Sequence, residues 1–233
     1  MTKLIRCRGG LAEIASAFDA QPASALHWHG DIWPGERALV VTSCDGGRRL
    51  DMLEWGLPSS CFVTGDRHEH RETVFARDLA PRSGSLVAPD LLTRCLIVVE
   101  AVAYPVGDAG GRTRAWAGLW DEPLAAWAGV CAADVSSGCA GILIPANSLI
   151  AQVSGHMPML LQRHDWQDWL EGRSPAWDLG PAYPLSAWYL EQWGESWSTG
   201  ILMDDAEEDR FSARFKRSRG KVDPNIELGY DSG

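Results

Sequence analysis

Two pairs of histidines have the spacing that most directly indicates chemistry in this sequence of 233 residues. His27-Trp28-His29 and His68-Glu69-His70 each place two imidazoles two residues apart, which puts both side chains on one face of a strand. A metal site needs three or four converging ligands, and the sequence does not show that the two pairs meet. The sequence therefore predicts neither a bound metal nor any other cofactor.

Single histidines and cysteines supply the remaining candidates for acid–base and nucleophilic chemistry. His156 and His164 could act as acid–base groups, although a lone histidine is more often structural. The P-loop, G-x-G-x-x-G and G-x-S-x-G signatures are absent from the sequence, which removes the commonest phosphate-binding and hydrolase motifs. The six cysteines are scattered without a C-x-x-C pair, so we interpret them as reduced thiols.

Composition and charge limit the class of protein. Hydrophobic residues make up 45% and charged residues 22% of the chain, as in globular proteins. No apolar run approaches the roughly 20 residues that cross a bilayer, and residues 1–7 lack the apolar segment of a secretion signal, so we expect a cytoplasmic protein with no membrane partner. A net charge of -10 disfavours strong nonspecific nucleic-acid binding, because that binding depends on Lys and Arg. The net charge does not exclude binding of nucleic acid at one local site on the surface.

Periodicity and turn residues predict the elements that would position these side chains. Apolar residues at helical spacing predict a helix near residues 10–19. Asp45-Gly46-Gly47 lies between two strand-like runs and predicts a hairpin. The apolar run Cys95–Val106 is expected in the middle of a sheet. Further predicted elements are strands at residues 114–120 and 138–144 and a helix over Asp165–Gly172.

The composition changes after residue 200. Residues 204–221 contain five acidic and then six basic residues, a net charge of +1. Such a charge run is usually a solvated or disordered tail, and the alternative is a basic arm that contacts nucleic acid or a partner. We therefore predict a folded domain over residues 1–200 and a charged C-terminal tail over residues 201–233.

Seven segments, taken in order, resemble the SRAP (SOS response-associated peptidase) family, whose members form covalent adducts with abasic sites in single-stranded DNA. The segments are Cys7–Gly9, Ile32–Glu36, Leu53–Pro58, Arg94–Val98, Ala117–Asp121, Pro145–Ala151 and His156–Leu160. The resemblance covers about residues 5–190. It implies an α+β fold, a single domain with a curved, mostly antiparallel β-sheet closing toward a barrel, with peripheral helices.

The chemistry that the resemblance implies starts at an N-terminal cysteine. The α-amine and the thiol of that residue condense with the aldehyde of a ring-opened abasic sugar to give a thiazolidine. The resemblance therefore implies Cys7 as the nucleophile. The supporting histidine of the family falls on Ser154, and His156, two residues further on, is the candidate that could replace it.

The DNA groove of the family has four candidate contacts in this sequence. Arg77 and Arg94 are candidates for retained contacts, although exposed arginines are also common without any such role. Trp55 and Pro34 are candidates as well, but core packing for Trp55 and turn formation for Pro34 are at least as good interpretations.

This sequence departs from the family at most supporting positions. The family's Asn falls on Phe75, and its Glu falls on Tyr104. A tyrosine is a poor general base at neutral pH, so Tyr104 does not replace the carboxylate. Six residues precede Cys7, so its nitrogen is part of an amide that cannot form an imine, and only a reversible thiol adduct remains. Glu100 shares a strand face with Tyr104 but would lie about 13 Å away at ~3.3 Å per residue, so we do not expect it to substitute.

Three functional hypotheses follow. The first is a divergent SRAP protein of the DNA-damage response that binds abasic single-stranded DNA, with crosslinking or autopeptidase activity through Cys7 weakened or absent. The second is a catalytically inactive protein on the same scaffold, acting as a binding or interaction protein, which the Trp-rich stretch Trp188–Trp197 favours. In the third, a different start or a processing event exposes Cys7 and restores the aminothiol.

Overall fold

The computed structural model describes residues 4–24, 26–61, 70–71, 73–75, 92–132, 138–173 and 181–200. The protein is an α+β domain made mostly of strands, as predicted, with two α-helices, α1 (Leu11–Phe18) and α2 (Trp166–Leu170), in the described residues. None of the described helices has the length and apolar character to cross a membrane. Arg77 and the charged segment 201–233 lie outside the described residues, so the domain boundary at residue 200 stays a prediction.

Sixteen strands are described. In chain order they are β1 (Leu4–Arg6), β2 (Ala20–Pro22), β3 (Asp31–Ile32), β4 (Arg37–Cys44), β5 (Gly47–Glu54), β6 (Leu57–Pro58), β7 (His70–Arg71), β8 (Thr73–Phe75), β9 (Leu92–Val99), β10 (Ala101–Val106), β11 (Thr113–Leu119), β12 (Ala125–Ala132), β13 (Cys139–Pro145), β14 (His156–Pro158), β15 (Leu160–Leu161) and β16 (Trp188–Ser196).

The largest sheet has nine strands. Seven follow the order β14-β13-β12-β9-β4-β5-β2, while β15 pairs with β12 and β8 pairs with β13. The pairs are antiparallel except β8 with β13 and β2 with β5. The edge strands β14 and β2 contain Pro158 and Pro22, which lack the N–H needed to extend a ladder. Because the strand order of each sheet does not return to its first strand, the described sheets are open, and the predicted closure toward a barrel is not found among the described strands.

The chain divides into two compact units. The first, Met1–Tyr104 with Trp116–Leu190, contains the nine-stranded sheet and a second sheet of order β16-β11-β10-β1-β3. The second unit, Pro105–Ala115 with Glu191–Gly233, contains the remaining ends of β10, β11 and β16. In this second unit, Arg114 Nε donates a hydrogen bond to the carbonyl of Trp197 at 3.2 Å.

Tryptophans fill much of the core of the nine-stranded sheet. Trp127 in β12 is fully buried, and its Nε1 donates to the carbonyl of Ile142 at 2.7 Å. A Cβ on Gly141 would lie 2.1 Å from the Trp127 ring, so only glycine leaves room for this indole. Trp55 packs edge-on against Trp127, with ring centroids 6.1 Å apart. Large buried indoles of this kind account for part of the high tryptophan content of the chain.

Several predicted elements are confirmed. Helix α1 occupies the predicted range and ends at Phe18, and the residue that caps it, Asp19, has a left-handed φ of 49°. Strands β4 and β5 form the predicted hairpin, and Gly46 in its turn has a φ of 95°, which favours glycine. The predicted strands at 114–120 and 138–144 correspond to β11 and β13, and α2 lies within the predicted helix.

The prediction for the run Cys95–Val106 is wrong in one respect. The run forms two strands, because β9 ends at Val99, Glu100 is a bend, and β10 begins at Ala101. Strand β9 belongs to the nine-stranded sheet and β10 to the second sheet. The expected separation of Glu100 and Tyr104 along one continuous strand therefore does not apply. Instead, the bend leaves the Glu100 carboxylate available to a neighbouring loop.

Candidate functional site

Cys7 follows directly after β1, in the segment that leads to α1. Strand β1 is paired on both sides, with Ile5 opposite Val102 of β10 and opposite Ile32 of β3. The side chains of Leu4 and Ile5 are fully buried. The residues immediately before Cys7 are thus an interior strand of the second sheet.

The backbone and thiol of Cys7 are both held inside the protein. Its N–H donates to the carbonyl of Gly30 at 2.8 Å, and its carbonyl accepts from Trp28 Nε1 at 2.8 Å. Burial, and then the negative charges of Glu100 and Glu13, raise the pKa of the Cys7 thiol to about 12. At neutral pH, Cys7 therefore has a protonated thiol beside an amide nitrogen, and neither group is in the form that attacks an aldehyde.

Glu100 binds the backbone that follows Cys7. One oxygen, Oε1, accepts hydrogen bonds from the N–H groups of Arg8 and Gly9, each at 2.6 Å. Successive backbone N–H groups of this kind form a small anion-binding concavity, and here a side chain of the protein fills it. The signal that could have revealed this role is the single carboxylate of Glu100 within an otherwise apolar run.

An ion-pair network lies beside this segment. Asp31 Oδ1 accepts from Arg6 Nε and from Arg8 Nη2, both at 3.0 Å. The Arg6 guanidinium also lies 3.7 Å from the centre of the Trp116 ring, in a cation–π contact. Two guanidinium groups share one carboxylate, and the side chain of Arg8 is 58% exposed. Arg8 therefore presents positive charge to solvent next to Cys7.

A shallow groove of about 460 Å³ lies on this surface. Its lining residues are Arg8, His29, Gly30, Asp31, Trp33 and Glu36. His29 is exposed and Trp33 is half-buried. The groove thus offers a guanidinium, an imidazole and an indole, while its two carboxylates outnumber its single guanidinium. Sequence reasoning missed Arg8, His29 and Trp33 as groove residues, because nothing in their spacing shows that they converge.

Pro34 and Trp55 build the backbone next to this groove. Pro34 and Gly35 are the central residues of a turn closed by a hydrogen bond from Glu36 N–H to the carbonyl of Trp33 at 3.0 Å. Gly35 has a φ of 86°, as a type II turn requires. Trp55 exchanges backbone hydrogen bonds with this turn, and its indole is fully buried. DNA contact by Trp55 stays a prediction, and it would require the core to open.

Arg94 and His156 occupy strands of the nine-stranded sheet. The Arg94 guanidinium stacks 4.4 Å from the Trp169 ring, and desolvation lowers its pKa. His156 begins β14, and its backbone N–H and carbonyl both bond the hydroxyl of Ser154, at 3.2 and 2.8 Å. Groove contact by Arg94 and an acid–base role for His156 stay predictions. In the described part of the chain, no three His, Cys, Asp or Glu side chains are arranged to hold a metal ion.

Solved structures share this fold. A protein from Bacteroides thetaiotaomicron matches with a TM-score of 0.62 at 17% identity, over 81% of this chain and 90% of that chain. A protein from Bordetella bronchiseptica matches with a TM-score of 0.61 at 14% identity, over 82% of this chain and 98% of that chain. A phage-related protein from the same organism has a TM-score of 0.59 at 15% identity, with 82% and 93% covered.

The amino-acid sequence itself identifies the family. No curated protein matches the chain. The SOS response associated peptidase (SRAP) family matches over residues 5–182, which is most of the chain and includes Cys7, the groove and the nine-stranded sheet. The chain therefore belongs to the SRAP family.

Proposed function

We propose that this protein is a non-crosslinking SRAP protein that binds abasic single-stranded DNA in the groove beside Cys7. One observation carries the proposal. The nitrogen of Cys7 is a peptide amide that donates to Gly30, and the residues before it form the buried strand β1. Exposing an α-amine at Cys7 would remove an interior strand, which argues against the hypothesis of processing at this position.

The chemistry of adduct formation supports the same conclusion. A thiazolidine needs an amine to form an imine with the sugar aldehyde and a thiol to close the ring. The amide nitrogen of Cys7 cannot provide the first step, and the raised pKa of its thiol disfavours the second. What remains is a reversible hemithioacetal, which would also require the buried thiol to become accessible.

The groove supports noncovalent binding. The guanidinium of Arg8 can contact a phosphate, and the half-buried ring of Trp33 offers a face on which a base can stack. Asp31 and Glu36 also line the groove, and the whole chain is acidic. We therefore expect modest affinity that falls as salt concentration rises.

Electrophoresis under denaturing and native conditions tests both parts of the proposal. Purified protein is incubated with abasic single-stranded DNA, alongside the Cys7→Ala variant. In the denaturing gel we expect no protein–DNA band. In the native gel we expect the wild type and Cys7→Ala to shift the same fraction of the DNA. A denaturation-resistant band that Cys7→Ala lacks would contradict the absence of crosslinking. Equal retention of abasic and intact strands would contradict abasic-site recognition.

A matched pair of arginine variants locates the binding surface. Arg8→Ala removes the groove cation, while Arg49→Ala removes a cation that is equally exposed and equally paired with one carboxylate, Asp51, outside the groove. We expect Arg8→Ala to reduce the salt dependence of DNA binding by about one phosphate contact and Arg49→Ala to leave it unchanged. Equal effects of the two variants would contradict the groove assignment.

A second candidate function, binding of a protein partner, is favoured by exposed aromatic residues. Trp120 is 54% exposed, its ring centroid lies 5.1 Å from that of Tyr189, and nearby in sequence Leu185 is 50% exposed. In the Trp-rich stretch, Trp188 is buried and Trp193 is 55% exposed. Trp120→Ala separates the two functions, because it should leave DNA binding unchanged if the groove beside Cys7 is the binding site.

A further inference from the structure

Three buried cysteines lie together in the nine-stranded sheet, apart from Cys7. Cys131 of β12 is directly opposite Cys139 of β13 on one side and Thr93 of β9 on the other. Cys95 lies two residues after Thr93, on the same face of the sheet, and its thiol hydrogen-bonds with that of Cys131. All three cysteines are unpaired thiols with no exposed surface.

The register makes Cys131 and Cys139 a close pair. The N–H of the neighbouring Ala132 donates to the carbonyl of Gly138 at 3.2 Å, and hydrogen-bonded pairs alternate with non-hydrogen-bonded pairs along an antiparallel ladder. Cys131 and Cys139 are therefore a non-hydrogen-bonded pair, and the Cys139 carbonyl instead accepts from the N–H of Gly56 at 2.8 Å. Such pairs have Cα atoms about 4.5 Å apart, at the short end of the range that a disulfide spans.

The two thiols differ in reactivity. Hydrogen bonding from Cys95, and to a smaller extent from Thr93, lowers the pKa of Cys131 to about 7 against the opposing effect of burial. Thr93 Oγ1 lies 3.0 Å from Cys131 Sγ. Burial raises the pKa of Cys139, so this thiol stays protonated. A thiolate beside a thiol is the arrangement in which one sulfur is oxidised and the other resolves it.

We propose that Cys131 and Cys139 are a peroxide-sensitive pair that closes to a cross-strand disulfide. The Cys131 thiolate attacks one oxygen of hydrogen peroxide, the O–O bond breaks, and the released hydroxide takes a proton to become water. The Cys139 sulfur then attacks the sulfur of the Cys131 sulfenic acid and the S–S bond forms. The S–O bond breaks, and the hydroxyl leaves as a second water with the proton of the Cys139 thiol. Two thiols lose two electrons and two protons, and the peroxide is reduced to two waters.

The position of the pair explains how peroxide reaches it. Cys139 is the first residue of β13, and Cys131 is the last residue but one of β12. Strand ends open locally at lower free energy than strand centres, so a small oxidant can enter without global unfolding. The disulfide would then link the end of β12 covalently to the start of β13.

Peptide mapping tests the proposal on the wild-type protein. Reduced protein is exposed to hydrogen peroxide, alkylated in denaturant and cleaved with trypsin. No Lys or Arg lies between Arg114 and Arg163, so Cys131 and Cys139 share one tryptic peptide while Cys95 lies in another. We expect that shared peptide to lose two hydrogens and to resist alkylation. A peptide that takes two alkyl groups, or one joined to the Cys95 peptide, would overturn the proposal.

Single variants separate this pair from nonspecific oxidation. Cys139→Ala should abolish the disulfide and leave a Cys131 sulfenic acid that dimedone traps, whereas Cys44→Ser, at an exposed cysteine, should leave the disulfide yield unchanged. Thr93→Val removes the hydroxyl beside Cys131 Sγ and should slow disulfide formation about fivefold. Unchanged kinetics in Thr93→Val, or loss of the disulfide in Cys44→Ser, would contradict the assigned roles.

Discussion

Cys7 and Cys131 are both fully buried, yet their thiols are shifted in opposite directions. Around Cys7, burial acts together with the negative charges of Glu100 and Glu13, and the pKa rises to about 12. Around Cys131, hydrogen bonds from Cys95 and Thr93 outweigh burial, and the pKa falls to about 7. The comparison shows that the groups around a buried thiol, rather than burial alone, decide whether it is a nucleophile.

The contrast also bears on how the SRAP fold is used in this chain. Cys7, the residue that resembles the family's nucleophile, is part of a packed and hydrogen-bonded structure. In this structure Glu100 accepts hydrogen bonds from the two backbone N–H groups that follow Cys7. The sulfur that we propose as reactive lies instead in the nine-stranded sheet, at Cys131. The neighbours of a residue, rather than its resemblance to a family nucleophile, therefore determine its chemistry.

The largest expected effect is in the titration of the two thiols. Thiolate absorbance in the ultraviolet is measured against pH for the wild type, Cys7→Ala and Cys131→Ala, and each difference isolates one residue. The Cys131 signal should develop near pH 7, whereas at pH 8 only roughly one Cys7 in ten thousand should be ionised. A Cys7 signal that develops below pH 9, or a Cys131 signal that develops only above it, would break the comparison.

The next effect concerns the strand that holds Cys7. Ile5→Ala removes a fully buried side chain from β1 and should lower the free energy of unfolding by about 2–5 kcal/mol, measured by denaturant titration. Leu185→Ala, at a half-exposed side chain, is the control and should change stability by less than about 0.5 kcal/mol. If Ile5→Ala cost no more than this control, β1 would be a dispensable leader and processing at Cys7 would become tenable.

A smaller effect is expected for the carboxylate beside Cys7. Glu100→Gln keeps an oxygen acceptor for the N–H groups of Arg8 and Gly9 but removes the charge, so stability should fall by about 1–3 kcal/mol. Because a negative charge disfavours the thiolate, the pKa of Cys7 should fall in this variant. Glu36→Gln is the control, since Glu36 accepts one backbone N–H, from Trp33, and is not among the groups that shift Cys7. Equal Cys7 titrations in the two variants would contradict this account.

Much of the fold could be predicted from the sequence, because its signals are local. Helical spacing gave α1, and the turn residues around Gly46 gave the β4–β5 hairpin. The break between β9 and β10 at Glu100 could not be predicted from the sequence. The Glu100 carboxylate binds the N–H groups of Arg8 and Gly9, which are distant from it in the sequence. Residues that meet only in the folded chain, such as Arg8 with Trp33 and Cys131 with Cys139, carry no signal in sequence spacing.

The smallest effect compares a glycine beside each thiol site. A Cβ on Gly129 would lie 3.0 Å from Cys95 Sγ and 3.2 Å from the carbonyl oxygen of Ala140, in a packed interior, so Gly129→Ala should cost about 1–3 kcal/mol and disturb Cys131 oxidation. A Cβ on Gly30 would lie 2.7 Å from Arg8 Cγ, but that side chain is exposed and can move aside. Gly30→Ala should therefore change stability less, while weakening DNA binding through Arg8. Both changes in stability are measured by denaturant titration. A larger loss in Gly30→Ala than in Gly129→Ala would mean that the segment around Cys7 is packed at least as rigidly as the three buried cysteines of the nine-stranded sheet.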